Sequence, residues 1–327
     1  MTESHTVDES FSRSDRSLTV GSGAGLTARL RILIRGLALA EMTQRQFRML
    51  WPLTSHCAAP FNALFTNPWN VATLAESQAE EVKYLPRFAS NELPALLASN
   101  EPHLARRRMS WHEFPAESPL MARCRSLMNE LQPLPQIVEK VDRLREAHCR
   151  PEMIGVHLRR GDYVALRPDK THNTDKAIEA TDAFLEQHPT AGILLCTDEE
   201  TTTHSGDGEV RQRFAARYGD RLVQTAPSTY DRSDPAAIED ALVDLWLLRG
   251  TTAFVGSDYS GFSELAVFGR DVPHRMVGDG SAAWKRLAWL ARFGLFKRLI
   301  RHLGRREFGG DRSLPFLIDH YSRKWLG

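Results

Sequence analysis

Apolar and polar positions change period along this chain, and the changes mark out strands and helices in alternation. Leu18-Thr19-Val20 is a short apolar run that leads into a glycine-rich turn, Gly21-Ser22-Gly23-Ala24-Gly25. Beyond it Leu26, Leu30, Leu33, Leu37 and Ala40 recur at helical spacing, so a strand, turn and helix are predicted. A second strand is predicted over 46–51, ended by Pro52, because proline has no N–H to extend a ladder. From 53 to 118 no period holds, and Phe61, Phe65, Trp69, Trp111 and Phe114 read as buried or pocket-lining aromatics. An amphipathic helix is predicted over 135–149, with Ile137, Val138, Val141, Leu144 and Ala147 on its apolar side.

The alternation becomes regular after residue 150. Strands are predicted at 153–158, 192–196, 221–224, 253–256 and 275–277, with helices at 175–187, 209–218, 235–248 and 260–268 between them. Asp234-Pro235 supplies an N-cap and a first-turn proline. Strands separated by helices require a parallel sheet, and such sheets place ligands at the carboxyl ends of their strands. The expected organisation is a disordered leader over 1–17, an N-terminal lobe over 18–150, a C-terminal lobe over 151–280 and a basic helical extension over 281–327.

Composition narrows the function classes. With 327 residues and 42% hydrophobic content there is enough chain for two cores. The 42 basic and 41 acidic residues nearly cancel, which argues against a nucleic-acid partner held by the field of the whole protein. Cys57, Cys124, Cys149 and Cys196 are far apart and show no zinc spacing, so they read as plain thiols of a reducing compartment. Neither a secretory signal nor a membrane-spanning run is visible, and the cytoplasm is the expected location. The segment 284–306 carries eight Lys or Arg and no acid among Trp289, Phe293 and Phe296. It reads as a helix packed on a lobe, with peripheral contact to an anionic membrane face as the alternative.

Three strand ends carry the candidate chemistry. The run Ile154-Gly155-Val156-His157-Leu158-Arg159-Arg160-Gly161-Asp162 is an apolar strand that stops in two arginines, a glycine and an aspartate. Paired guanidiniums there offer a fork for diphosphate oxygens and can neutralise a departing pyrophosphate without a metal. A solvated strand end is the plainer alternative. The second strand ends in Thr197-Asp198; a carboxylate there can accept from the N1–H and 2-amino group of guanine, which adenine cannot supply, or it can simply cap the next element. The third runs Gly256-Ser257-Asp258-Tyr259-Ser260-Gly261-Phe262 into a helix, and Ser257, Ser260 and Gly261 form a candidate phosphate-facing nest.

Together these segments resemble the fucosyltransferases that include the α1,6, α1,2 and protein O-linked enzymes. The H-x-R-R-x-D pattern matches His157, Arg159, Arg160 and Asp162, and the other two strand ends match at Thr197, Asp198, Ser257 and Ser260. The stretch Gly25-Leu26-Thr27-Ala28-Arg29-Leu30 is similar to the family's first-lobe loop. The resemblance implies a GT-B fold of two Rossmann-like lobes with a cleft between them. It implies GDP-fucose as donor, with no cofactor and no metal, and inverting transfer to a hydroxyl on a glycan, a lipid-linked sugar or a small molecule. By that analogy Arg159 holds the β-phosphate, Arg160 assists, Asp198 reads guanine and Asp162 is a candidate base, with Gly25, Arg29, His157, Gly161, Thr197, Ser257, Ser260, Gly261 and Phe262 around the donor. The α1,6 enzymes carry an acidic residue several places after the arginine pair, where this chain has Leu166-Arg167-Pro168 before Asp169.

Two other classes compete. A non-catalytic nucleotide-sugar-binding protein would need the same donor motifs without a base. A dinucleotide-dependent oxidoreductase would need glycine at position 26, which is Leu26, and an acidic ribose ligand after the second strand, where Trp51 stands instead.

Overall fold

A computed structural model describes residues 16–86, 93–107, 116–161, 173–199, 209–258 and 260–278. The predicted alternation folds into two parallel sheets. The first half of the chain runs β1 (Ser17–Gly21), α1 (Leu26–Met42), β2 (Gln46–Pro52), β3 (Val71–Leu74), α2 (Ala79–Tyr84), α3 (Leu93–Ala98), β4 (His103–Arg107) and α4 (Pro119–Glu130). The second runs α5 (Pro135–His148), β5 (Met153–Leu158), α6 (Thr174–Gln187), β6 (Gly192–Thr197), α7 (Glu209–Tyr218), β7 (Leu222–Gln224), α8 (Pro235–Arg249), β8 (Ala253–Ser257), α9 (Gly261–Val267) and β9 (His274–Val277). The strand orders are β3-β2-β1-β4 and β7-β6-β5-β8-β9, parallel throughout. In the second sheet the order reverses between β5 and β8. Loops leaving those two strands part in opposite directions, which opens a crevice at their carboxyl ends.

Burial explains which elements the apolar pattern reveals. β5 and β6 are buried along their whole length, so they read as unbroken apolar runs bounded by turns. Helix α1 is buried nearly all round, including Ile32, Ile34, Ala38 and Leu39, since it packs on β1, β2, α4 and α9 at once. The single stripe predicted for it is therefore only one of its buried faces. One apolar cluster runs from α1 through Cys124 and Leu127 of α4 and Ile137 of α5 to Leu242 and Leu245 of α8. The opposite face of the second sheet buries Val156, Ile193, Leu195, Phe214 and Val255.

Elements between 53 and 130 are the ones the sequence pattern misses. In β4, His103-Leu104-Ala105-Arg106-Arg107, the fully buried side chain is Leu104, so no alternation announces a strand that its ladder to β1 holds in place. Helix α4 has proper start signals, with the Ser118 oxygen accepting the Met121 N–H at 3.3 Å and proline in the first turn. Of the aromatics, Phe61 and Phe65 prove to be core and Trp69 packs half-buried against them: Phe61 stacks on Phe65 at 5.1 Å and on Trp69 at 6.3 Å, and Phe65 meets Trp246 of α8 at 6.0 Å. Trp111 and Phe114 lie outside the described residues, as do Asp162, Asp169, the segment 284–306 and the leader up to residue 15. Arg16 and Ser17, placed in the leader by the sequence pattern, belong to the fold: Arg16 Nη2 donates to Ser99 O at 2.7 Å and Ser17 opens β1. Among the described residues no helix is long and apolar enough to cross a membrane.

Candidate active site

A cleft of about 900 Å³ lies at the β5/β8 reversal and is walled by both halves of the chain. The sheet supplies its floor through side-chain bonds that tie strand ends together. Arg159 N–H donates to Ser257 Oγ at 2.9 Å, which joins β5 to β8. Thr197 Oγ1 donates to Leu158 O at 2.7 Å, which joins β6 to β5. Asn173, just before α6, donates to Ser257 Oγ at 3.0 Å and to Val277 O at 3.3 Å, so β9 is included. These bonds fix the loops before any ligand arrives, and that rigidity is what a site for a charged ligand needs.

The two arginines part company. Arg159 projects to the cleft and pairs its Nη1 with Asp198 Oδ2, with Arg232 also 3.6 Å from that oxygen. Arg160 also borders the cleft, but its guanidinium is bonded inward: Nη1 donates to Asn173 Oδ1 at 2.9 Å and Nη2 to Thr174 Oγ1, and the residue is buried. Its backbone N–H donates to Asp198 Oδ1 at 2.6 Å. The expected fork of two guanidiniums is thus one guanidinium facing the cleft and one holding the loop. Gly161 closes the turn at φ +36°, and a Cβ there would lie 2.6 Å from Asp198 Oδ2, so glycine is needed both for the backbone and for the carboxylate beside it.

The other expected residues divide the same way. Gly25, His157, Thr197, Asp198, Ser260, Gly261 and Phe262 all border the cleft. His157 is buried, shares a 2.8 Å hydrogen bond between Nδ1 and Ser263 Oγ, and stacks on Phe262 at 4.7 Å. Burial, and then the neighbouring Arg159 charge, hold its pKa down to about 3, so it serves as a neutral positioning group. Ser260 is the N-cap of α9, accepting from Ser263 N–H at 3.4 Å. Two expected contacts do not reach the cleft. Ser257 is buried with its oxygen engaged by Arg159 and Asn173. Arg29 is fully buried and donates to Ala24 O at 2.6 Å, to Pro52 O and to Thr54 Oγ1 at 2.9 Å. Sequence similarity makes the Arg29 cation a ligand contact, yet in α1 three acceptors within its own half of the chain claim it.

The cleft also holds residues that no motif flagged, among them Arg31, His56, Tyr230, Arg232 and Asp244. They sit on loops or on the rim of helices, where neither period nor spacing marks them; Thr229-Tyr230-Asp231-Arg232, a polar run with an aromatic ahead of a capped helix, is the one visible cue. Arg31 of α1 pairs with Glu264 of α9 at 3.0 Å and ties the two walls together. Burial raises the Asp244 carboxyl to about 7, opposed in part by a hydrogen bond from Thr225 and assisted by the nearby Asp240 charge. A carboxyl that keeps its proton longer when folded stabilises the native state below the ordinary carboxylate range, and that contribution disappears as pH rises through about 7. Asp244→Asn is therefore expected to flatten the fall in stability between pH 4 and pH 7. At pH 8 the variant should exceed the parent by roughly 1–3 kcal/mol, the full shift being reduced for partial exposure. Urea titrations at four pH values read this directly, and parallel curves for the two proteins would refute it.

Among the described residues no group of three or more His, Cys, Asp or Glu side chains could hold a metal ion. The four cysteines are free, and burial raises the thiol pKa of each.

No protein-family profile matches the sequence, and no curated protein matches it. Solved structures do. The NodZ α-1,6-fucosyltransferase soaked with GDP-fucose superposes with a TM-score of 0.54 at 16% identity, over 78% of this chain and 93% of that one. Fucosyltransferase NodZ from Bradyrhizobium gives 0.53 at 16%, over 77% and 92%. POFUT1 in complex with GDP-fucose gives 0.51 at 14%, over 81% and 98%. The chain has the fold of these fucosyltransferases.

Proposed function

We propose that the chain is a GT-B glycosyltransferase that transfers fucose from GDP-fucose to a hydroxyl acceptor, with inversion and without a metal ion. The observation that carries this reading is the Arg159–Asp198 pair at the β5/β8 reversal, facing a cleft large enough for a nucleotide sugar. Neighbours of the same fold were crystallised with GDP-fucose and with GDP. The β5/β8 side of the cleft takes the nucleotide and the α1 side takes the acceptor.

On this reading the ion pair is an exchange device. The donor pyrophosphate draws the Arg159 guanidinium off Asp198, and the Asp198 oxygen so released accepts from the N1–H and 2-amino group of guanine. Arg160, bonded to Asn173 and Thr174, keeps the loop in place through its backbone N–H to Asp198. Charge building on the departing diphosphate is then met by groups already fixed in position.

Calorimetry with GDP, UDP, ADP and GDP-fucose in EDTA tests the reading. GDP and GDP-fucose are expected to bind at least tenfold more tightly than UDP or ADP, about 1.4 kcal/mol. Equal binding of all four, or binding lost in EDTA, would refute base reading or metal independence respectively. Slow GDP release from bound GDP-fucose separates an enzyme from a protein that only binds the donor.

A further inference from the structure

The turn after β2 carries a histidine to the rim of the cleft. We propose that His56 is the general base that removes the acceptor hydroxyl proton, a role that rests on the glycosyltransferase reading above.

The placement is built and not incidental. Thr54 and Cys57 close the turn with two backbone bonds, 3.2 and 2.9 Å. Buried Arg29 donates to Thr54 Oγ1 at 2.9 Å, and Thr54 Oγ1 in turn donates to Gly23 O at 3.3 Å. Across the cleft, Ala58 N–H donates to Arg232 O at 3.1 Å. The turn is therefore braced by α1, by the glycine loop and by the segment next to Asp198. At its tip Ser55 and His56 are exposed and border the cleft, although the next residue, Cys57, is fully buried. Nothing in the packing calls for an imidazole at that point.

Other proton acceptors on the described walls are committed. His157 is buried, bonded to Ser263 and held near 3. Asp198 is engaged by Arg159 and by the Arg160 N–H. Glu199 accepts from the N–H groups of Val210 and Arg211 at the start of α7. Asp231 accepts twice from Ser233. Asp244 stands on α8, bonded to Thr225 on the nucleotide side. His56 alone among them stands at the start of α1, with its carbonyl beside Gly25, on the side the reading above gives to the acceptor, and a neutral imidazole carries a ring nitrogen able to accept a proton.

The step balances. The acceptor oxygen forms its bond to the sugar C1 as the bond from C1 to the β-phosphate oxygen breaks. That electron pair leaves with GDP beside Arg159, and the hydroxyl proton passes to an imidazole nitrogen of His56 and then to water.

With water as acceptor and GDP-fucose as donor, GDP release can be followed on the full chain for wild type, His56→Ala, His56→Gln and Asp162→Asn. His56→Ala is expected to lower the release rate by about 10²-fold, in line with general-base contributions, while GDP affinity by calorimetry stays within about twofold of wild type. Added imidazole should restore part of the rate in His56→Ala and none in His56→Gln, whose side chain fills the space. Wild-type release by His56→Ala, failure of imidazole rescue, or loss confined to Asp162→Asn would each overturn the assignment, and so would a wild type that binds GDP-fucose and releases no GDP. A wild type that fails to bind GDP fails earlier, and takes the glycosyltransferase reading with it.

Discussion

Arg159→Ala is expected to weaken GDP binding by about 30-fold or more, the equivalent of about 2 kcal/mol for a lost charged contact. Two effects add. The pyrophosphate loses its guanidinium, and Asp198, deprived of the nearer of its two cationic partners, presents a less compensated carboxylate to an anion. The second effect makes the prediction specific. Removing that carboxylate as well, in Arg159→Ala with Asp198→Asn, should recover part of the affinity for GDP, so the double variant binds better than the sum of the two single losses allows. Arg159→Lys should fall between, because an ammonium keeps the charge and loses the bidentate geometry. Additive losses by calorimetry would mean that Arg159 and Asp198 act on the ligand independently and would remove the exchange mechanism. Arg160→Ala should behave differently: its guanidinium satisfies Asn173 and Thr174, so the loss is in stability first and in affinity through the loop.

The contrast between those arginines was legible in principle. Successive side chains at a strand end tend to diverge, so two arginines in a row just past β5 are expected to aim their guanidiniums apart even though both residues border the cleft. His157 and Arg159 fall on the cleft side, and the Arg160 guanidinium follows Leu158 to the face covered by α6. The strands that bear them were plain in the sequence, since β5, β6 and β8 are buried on both faces and bounded by short turns. The cleft's other wall was not. Its contributors after β2 and before α8 belong to loops set by long-range bonds, such as Ala58 N–H to Arg232 O, and no local period encodes a partner 174 positions away. Arg29 shows the same limit from the other side. A charged residue on an apolar helix reads as a ligand contact until the acceptors that surround it are placed, and two of those, Pro52 O and the Thr54 hydroxyl, come from the next strand and turn.

Arg29 also carries the largest expected effect on stability. The guanidinium is fully buried, lies 5.1 Å from the centre of the Trp51 ring and donates to Ala24 O, Pro52 O and Thr54 Oγ1. Burial lowers its pKa from the ordinary arginine value, so the charge is held at a cost that these bonds offset. Arg29→Met keeps most of the volume and removes every donor. One buried carbonyl, Pro52 O, then lacks a partner at about 1–3 kcal/mol, the more exposed Ala24 O and Thr54 Oγ1 lose a donor that water can replace in part, and the cation–π contact with Trp51 goes too. An overall loss of about 2–4 kcal/mol in urea unfolding is expected on these figures, some of it relieved by water or local rearrangement. Arg29→Lys should recover only part, because one ammonium cannot reach acceptors spread along a guanidinium plane. The same variants separate brace from base: in Arg29→Met the Thr54–Cys57 turn loses its anchor, so GDP release from GDP-fucose should fall along with stability, and imidazole should not restore it, since His56 is still present but no longer held over the cleft. A loss below about 1 kcal/mol would show that the acceptors find other donors, and that Arg29 does not organise the wall from which His56 projects.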